Sequence, residues 1–200
     1  MEEYETNELF GLAKLHKDFD PRLQNIIKSQ DHAAVRNCAT KEARRLYGMH
    51  RDVMRCIHLQ RGFIRFDRSA HGILSAEPRL EHDVQDILLQ LFHKRFPRFY
   101  IILGHRGKSH VINPEGTITS STASVKTSIA SLERRLPINP LLKDIAMDEP
   151  VWDTYYESQY ISQRRDIGLM KKMMPLKFRS KAAEETRISK RSASLDKWIE

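Results

Sequence analysis

The chain has 200 residues, 40% of them hydrophobic and 30% charged, and its 34 Lys and Arg outnumber 26 Asp and Glu to give a formal net charge of +8. That length allows one domain with a small appendage, the composition excludes disorder for the body of the chain, and the positive balance suits polyanionic partners such as nucleic acid. Two cysteines without CxxC spacing, Cys38 and Cys56, argue against an iron–sulfur cluster or a Cys-type zinc site in this chain, and no apolar run approaches the roughly 18 residues of a membrane span.

The acidic start Met1-Glu2-Glu3-Tyr4-Glu5 lacks the basic and apolar regions of a secretion signal, so a cytoplasmic protein without membrane attachment is expected. Residues 8–30 read as short helices broken at Asp20-Pro21, because proline has no amide to donate and restricts its predecessor. Leu9, Leu12, Leu15, Leu23 and Ile26 would supply core contacts there. From Asp31 to Leu59 the series Val35, Ala39, Ala43, Leu46, Met49, Val53, Ile57 keeps steps of three or four, which predicts one long amphipathic helix. Gly62-Phe63-Ile64-Arg65-Phe66 reads as a strand and residues 71–76 as its hairpin partner, with Asp67-Arg68-Ser69 as the turn. Pro78 suits a first helical position, and Leu80, Val84, Ile87, Leu88, Leu91 and Phe92 form an apolar stripe running to about Phe96.

Phe99 to Leu103 has the composition of a buried strand, and Ser109 to Asn113 reads as its mate across Gly104-His105-Arg106-Gly107-Lys108. Residues 114–124, rich in Gly, Ser and Thr, read as a turn and a mobile stretch before a helix over about 124–135, which Pro137 ends. Helices are expected again from Glu149 to Gln163 and through Leu169, Met170 and Met173. These elements make a single α+β domain, an antiparallel sheet of two or more hairpins packed with several helices on one face. Its parts are an N-terminal helical segment (1–30), a core (31–180) and a basic C-terminal tail (181–200).

Arg44, Arg51 and Arg55 recur at i, i+7 and i+11 with His58 near their line, almost opposite the stripe centred on Leu46, so they form a basic ridge that can track phosphates. In the expected strand, Phe63 and Arg65 share a face and could stack on a base and hold a phosphate, although most strand aromatics pack into a core. The loop around Arg106 offers two glycines and basic side chains to an anion but lacks phosphate-loop spacing. His105 and His110 flank a turn without an obvious third ligand, so no metal site is expected; Ser120, Ser121 and Ser124 sit in no nucleophile elbow. In the C-terminal third, Trp152, Tyr155 and Tyr156 alternate with Arg164, Arg165, Lys171, Lys172 and Lys177. Packing aromatics with a basic rim would explain that pattern, and so would a nucleic-acid surface.

Several of these motifs resemble the probable DNA metabolism protein family, a domain of unknown function found alone or fused to a uracil-DNA-glycosylase-like domain. The residues that carry the likeness are Trp152-Asp153-Thr154-Tyr155-Tyr156, Gln163-Arg164-Arg165-Asp166, Met174-Pro175, Gly62 to Phe66 and Phe92-His93-Lys94-Arg95-Phe96, with Arg106 and Gly116 in similar places. It spans about residues 40–180; Leu91 stands where the family pattern has histidine, and Asp166 where it has asparagine. Family members often accompany a radical S-adenosylmethionine protein, so the resemblance implies a partner that carries the iron–sulfur cluster and S-adenosylmethionine. The expected function is a nucleic-acid-binding accessory protein in DNA metabolism or repair, with DNA the first partner and RNA an alternative. Phosphates would meet Arg44, Arg51, Arg55 and the segment from Arg164 to Lys177. Other readings are a base-modifying or repair enzyme subunit with Arg65, Arg95 and Arg106 lining a pocket, and an RNA- or ribosome-associated interaction protein. No self-sufficient catalytic motif is present.

Overall fold

A computed structural model describes residues 9–139 together with residues 168, 169 and 172, the last three helical and exposed. Helix α1 covers residues 9–13. Asp20 then caps α2 (Pro21–Lys28) by accepting from the Arg22 amide at 2.9 Å, with Pro21 placed where a missing N–H costs nothing. Helix α3 (His32–Arg36) and helix α4 (Lys41–Phe63) occupy the region expected to be one helix. The break lies at Cys38, whose φ of 52° is left-handed, and at Thr40, whose hydroxyl accepts from the Ala43 amide and donates to Gln30. A cap of that strength starts a new helix and outweighs the continuous apolar period.

Helix α4 also runs through the expected strand Gly62 to Phe66. Phe63 ends the helix, and the Ile64 amide still bonds to the Gln60 carbonyl. The aromatic and β-branched character of that segment is overridden by tertiary packing, since Ile57, Gln60 and Ile64 are all buried. The first strand is β1 (Asp67–Arg68), so the residues expected to turn are paired and the chain reverses over Ser69 to Gly72, where Gly72 has a φ of 76°.

Strand β2 (Ile73–Ala76) leads through an irregular stretch into α5 (Gln85–Arg95) and then β3 (Tyr100–His105). Pro78 therefore does not open the helix. The backbone before α5 is used elsewhere: Asp83 donates to the Leu15 carbonyl, and the Arg79 carbonyl accepts from Gln60. A two-residue turn, Arg106 and Gly107 with φ of 49° and 73°, joins β3 to β4 (Lys108–Ile112). That positive-φ pair matches the twist of a tight hairpin. Strand β5 (Ile118–Ser121) pairs with β4 inside the segment expected to be a mobile turn, and α6 (Val125–Glu133) follows.

The sheet has order β1-β2-β3-β4-β5, antiparallel throughout except for β2 and β3. Parallel pairing there follows from the helical crossover through α5, which returns the chain to the end where β2 began. The α+β class and the mostly antiparallel sheet agree with the sequence reading, but helices lie on both faces. Leu74, Ala76, Ile101, Leu103 and Ile112 pack with Val53, Leu88, Leu89 and Phe92 of α4 and α5, whereas Ile73 and Ile102 pack with Val125 of α6. The alternation of side chains along a strand gives each layer its own set. A further cluster, with Leu9, Phe10, Leu23, Ile27, Val35, Leu46 and Met49, joins α1–α3 to the first half of α4; Ile26, expected inside, is exposed and Ile27 takes its place.

Candidate nucleic-acid interface

The helix-then-crossover path brings the C-terminal ends of α4 and α5 to one end of the molecule, beside the start of β3. Three Arg-Phe pairs occur in the sequence there, Arg65-Phe66, Arg95-Phe96 and Arg98-Phe99. Their rings form a chain: Phe66 meets Phe92 at 4.8 Å and Phe96 at 6.3 Å, and Phe96 meets Phe99 at 6.3 Å, each close to edge-on. Edge-to-face geometry places the positive rim of one ring on the negative face of the next. Phe66, Phe96 and Phe99 are only half-buried, while Phe92 is sealed beneath them.

Around these rings Arg61, Arg65, Arg68, Lys94, Arg95 and Arg98 are exposed, against the single carboxylate Asp67 in the same two segments; Glu115, in the turn between β4 and β5, and Glu133 of α6, which accepts from the Ser69 hydroxyl, are further acids at this end. The Arg95 guanidinium lies over the Phe96 ring at 5.2 Å, and Arg65 donates to the Gly62 and Ile64 carbonyls, closing the end of α4. Part of this charge answers the helix dipole, which favours cations in a last turn. The dipole does not explain Arg68, which lies in β1, or Arg98, which lies beyond the end of α5.

The ridge on α4 leads toward this end. Arg51 and Arg55 are exposed and make no ion pair among the described residues. Arg55 lies about 12 Å along the helix axis from Phe63 at 1.5 Å per residue. Arg44 is exposed too, but its guanidinium is engaged, donating to the Cys38 and Ala39 carbonyls at 2.9 and 3.0 Å. Phe63 is half-buried at the end of α4, so it and Arg65 do not share a strand face.

Arg106 sits apart. Strand β3 separates it from Phe99 by roughly 20 Å at about 3.3 Å per residue, and it pairs with Asp83 at 2.9 Å. Arg65, Arg95 and Arg106 therefore do not line one pocket. Around Arg106 is a second polar group: His105 lies 3.4 Å from Asp83, and His110 Nδ1 lies 2.9 Å from Ser120 Oγ and 3.6 Å from Asp86. Burial holds the His110 imidazole below its ordinary proton affinity, with His105 and Lys108 adding to the effect against Asp86 and Asp83. Serine and carboxylate meet the same ring nitrogen, so no relay runs across the imidazole. No group of three or more ligating side chains there or elsewhere among the described residues could hold a metal ion.

Trp152, Tyr155, Tyr156, Arg164, Arg165 and Lys177 lie outside the described residues; Lys172 is an exposed helical position. Sequence reasoning missed Phe66, Phe99, Lys94 and Arg98 as members of one surface. The repeated Arg-Phe pair was the available signal, but only the crossover puts the segments side by side. Among the described residues, no helix is long and apolar enough to cross a membrane.

No curated protein and no solved structure matches the chain at a significant level. A family model described as a domain of unknown function, DUF4130, matches residues 19–184, which takes in every described strand and the whole Arg-Phe surface, and on that match the chain belongs to the DUF4130 family.

Proposed function

We propose that this protein is a nucleic-acid-binding accessory factor in DNA metabolism or repair, and that it acts beside a partner carrying radical S-adenosylmethionine chemistry. The observation that carries the reading is the gathering of Arg61, Arg65, Arg95 and Arg98 around half-covered phenylalanines at the end toward which the Arg51 and Arg55 ridge leads. Phosphates attract such a surface without regard to sequence, and base edges or faces supply whatever selectivity follows. The partner and the DNA pathway rest on the resemblance described for the sequence, to which membership of DUF4130 adds a family of unknown function.

Counterion release makes the test quantitative. A surface that neutralises about four phosphates should lose roughly a hundredfold in affinity between 50 and 200 mM salt. Fluorescence anisotropy with a labelled DNA oligonucleotide measures this directly. An Arg95→Glu, Arg98→Glu double variant should weaken binding at low salt by tenfold or more and flatten the salt slope. Affinity that ignores salt, or that survives the double reversal, removes the proposal.

A further inference from the structure

We infer that this end of the molecule takes an unpaired polynucleotide strand in preference to a duplex, an inference that rests on the nucleic-acid reading above and narrows its ligand. The rings Phe66, Phe96 and Phe99 of the two cationic segments are packed on the core from within and partly exposed without, joined in an edge-on chain with Phe66 resting on buried Phe92. A phenylalanine rim or face exposed beside arginines gains from contact with the face of a base, and bases show their faces only where they are unpaired. In a duplex those faces are stacked away, and only groove edges remain to be read.

The backbone at this end points the same way. Both long helices arrive with their C-terminal ends, α4 capped at Ile64 and α5 ending at Arg95, so the carbonyl poles face the ligand. A helix inserted into a major groove reads bases with its N-terminal residues, and amides that would grip a phosphate lie at the other poles. What remains is a shallow shelf: rings in the middle, cations at the margins, and Arg95 already laid across Phe96 at 5.2 Å. A backbone can follow the margins while one or two bases rest on the shelf.

The test compares, at low salt, a labelled single-stranded DNA of about 20 nucleotides, the same sequence as a blunt duplex, and the corresponding single-stranded RNA. Single strands should bind at least tenfold more tightly than the duplex. Phe99→Leu and Phe96→Leu, which keep apolar volume but remove the ring, should each weaken single-strand binding about fivefold or more while leaving duplex binding and the salt slope as they were. Circular dichroism and melting of both variants confirm that the fold persists, and Phe99→Leu stands alone if Phe96→Leu does not fold. A duplex bound as tightly as the single strands, or leucine variants that bind single strands like the parent, overturns the inference and leaves the salt-dependent contact intact. Absence of binding to all three oligonucleotides removes both.

Discussion

Two histidines have their proton affinity lowered by their surroundings. Burial, the charge of His16, whose tilted ring lies 4.4 Å away, and nearby Lys17 lower the proton affinity of His82 against the pull of Glu81 and Asp52, and burial lowers that of His110 against Asp86. With folded values below the usual 6.5 of an unfolded histidine, the unfolded chain takes up protons first as pH falls. Stability should therefore be full above about pH 6.5 and drain away as acid titrates the folded rings. Thermal melts should show a lower midpoint at pH 5 than at pH 7.5, and His82→Gln should make the profile shallower. A second local constraint is Gly104, where an added Cβ would stand 2.7 Å from Val125 Cγ2 and 2.9 Å from Glu77 Cγ. Glu77 can swing aside but Val125 is buried at the start of α6, so Gly104→Ala should cost about 1–3 kcal/mol of unfolding free energy by urea titration. Val125→Ala added to it should recover part of that loss.

At the scale of elements, caps decide where helices begin. Thr40 fixes the start of α4 through the Ala43 amide and ties it to Gln30 at the end of α2. Thr40→Ala should therefore destabilise the protein by about 1–2 kcal/mol, readable as a shifted urea midpoint with an unchanged slope. Threonine followed by a helical run was legible in the sequence, yet the unbroken period from Val35 to Ile57 concealed it. Leu46, Met49, Val53 and Ile57 do face the core as that period implies. The strand Phe99 to Leu103 was legible within two residues because its β-rich composition agrees with its burial on both faces. Gly62 to Phe66 misleads for the opposite reason: its β-type side chains serve as the last turn of a helix and a link, a choice made by α5 and the sheet beneath. Strand β5 was hidden because an edge strand with three exposed residues needs little apolar signal.

Across the whole molecule, charge is sorted between two ends. Cations outnumber the carboxylates Asp67, Glu115 and Glu133 where α4 and α5 finish, and the far end of β3 holds Arg106 already matched by Asp83. Binding of nucleic acid should accordingly respond to position and not to net charge. Arg106→Ala, which lowers the formal charge by one, should leave anisotropy-measured affinity within about twofold, whereas Arg95→Ala should weaken it several-fold; equal losses would mean that the field of the entire protein does the holding. The ridge arginines Arg51 and Arg55 could be recognised from spacing alone, but the grouping of Arg65 with Arg95 and Arg98 could not. Distant segments meet there only through the crossover.

That crossover also sets an order of events as the chain folds. Ile73 finds Tyr100 in parallel register only after α5 has formed and laid itself across the sheet, whereas β3 and β4 close at once over Arg106 and Gly107. The hairpin can exist early; β2, and β1 with it, must wait for a long loop to close. Until then the apolar strand Tyr100 to Leu103 has one side unpaired, and substitutions that loosen α5, such as Leu88→Ala, should slow refolding and raise aggregation during it more than substitutions in α2 do.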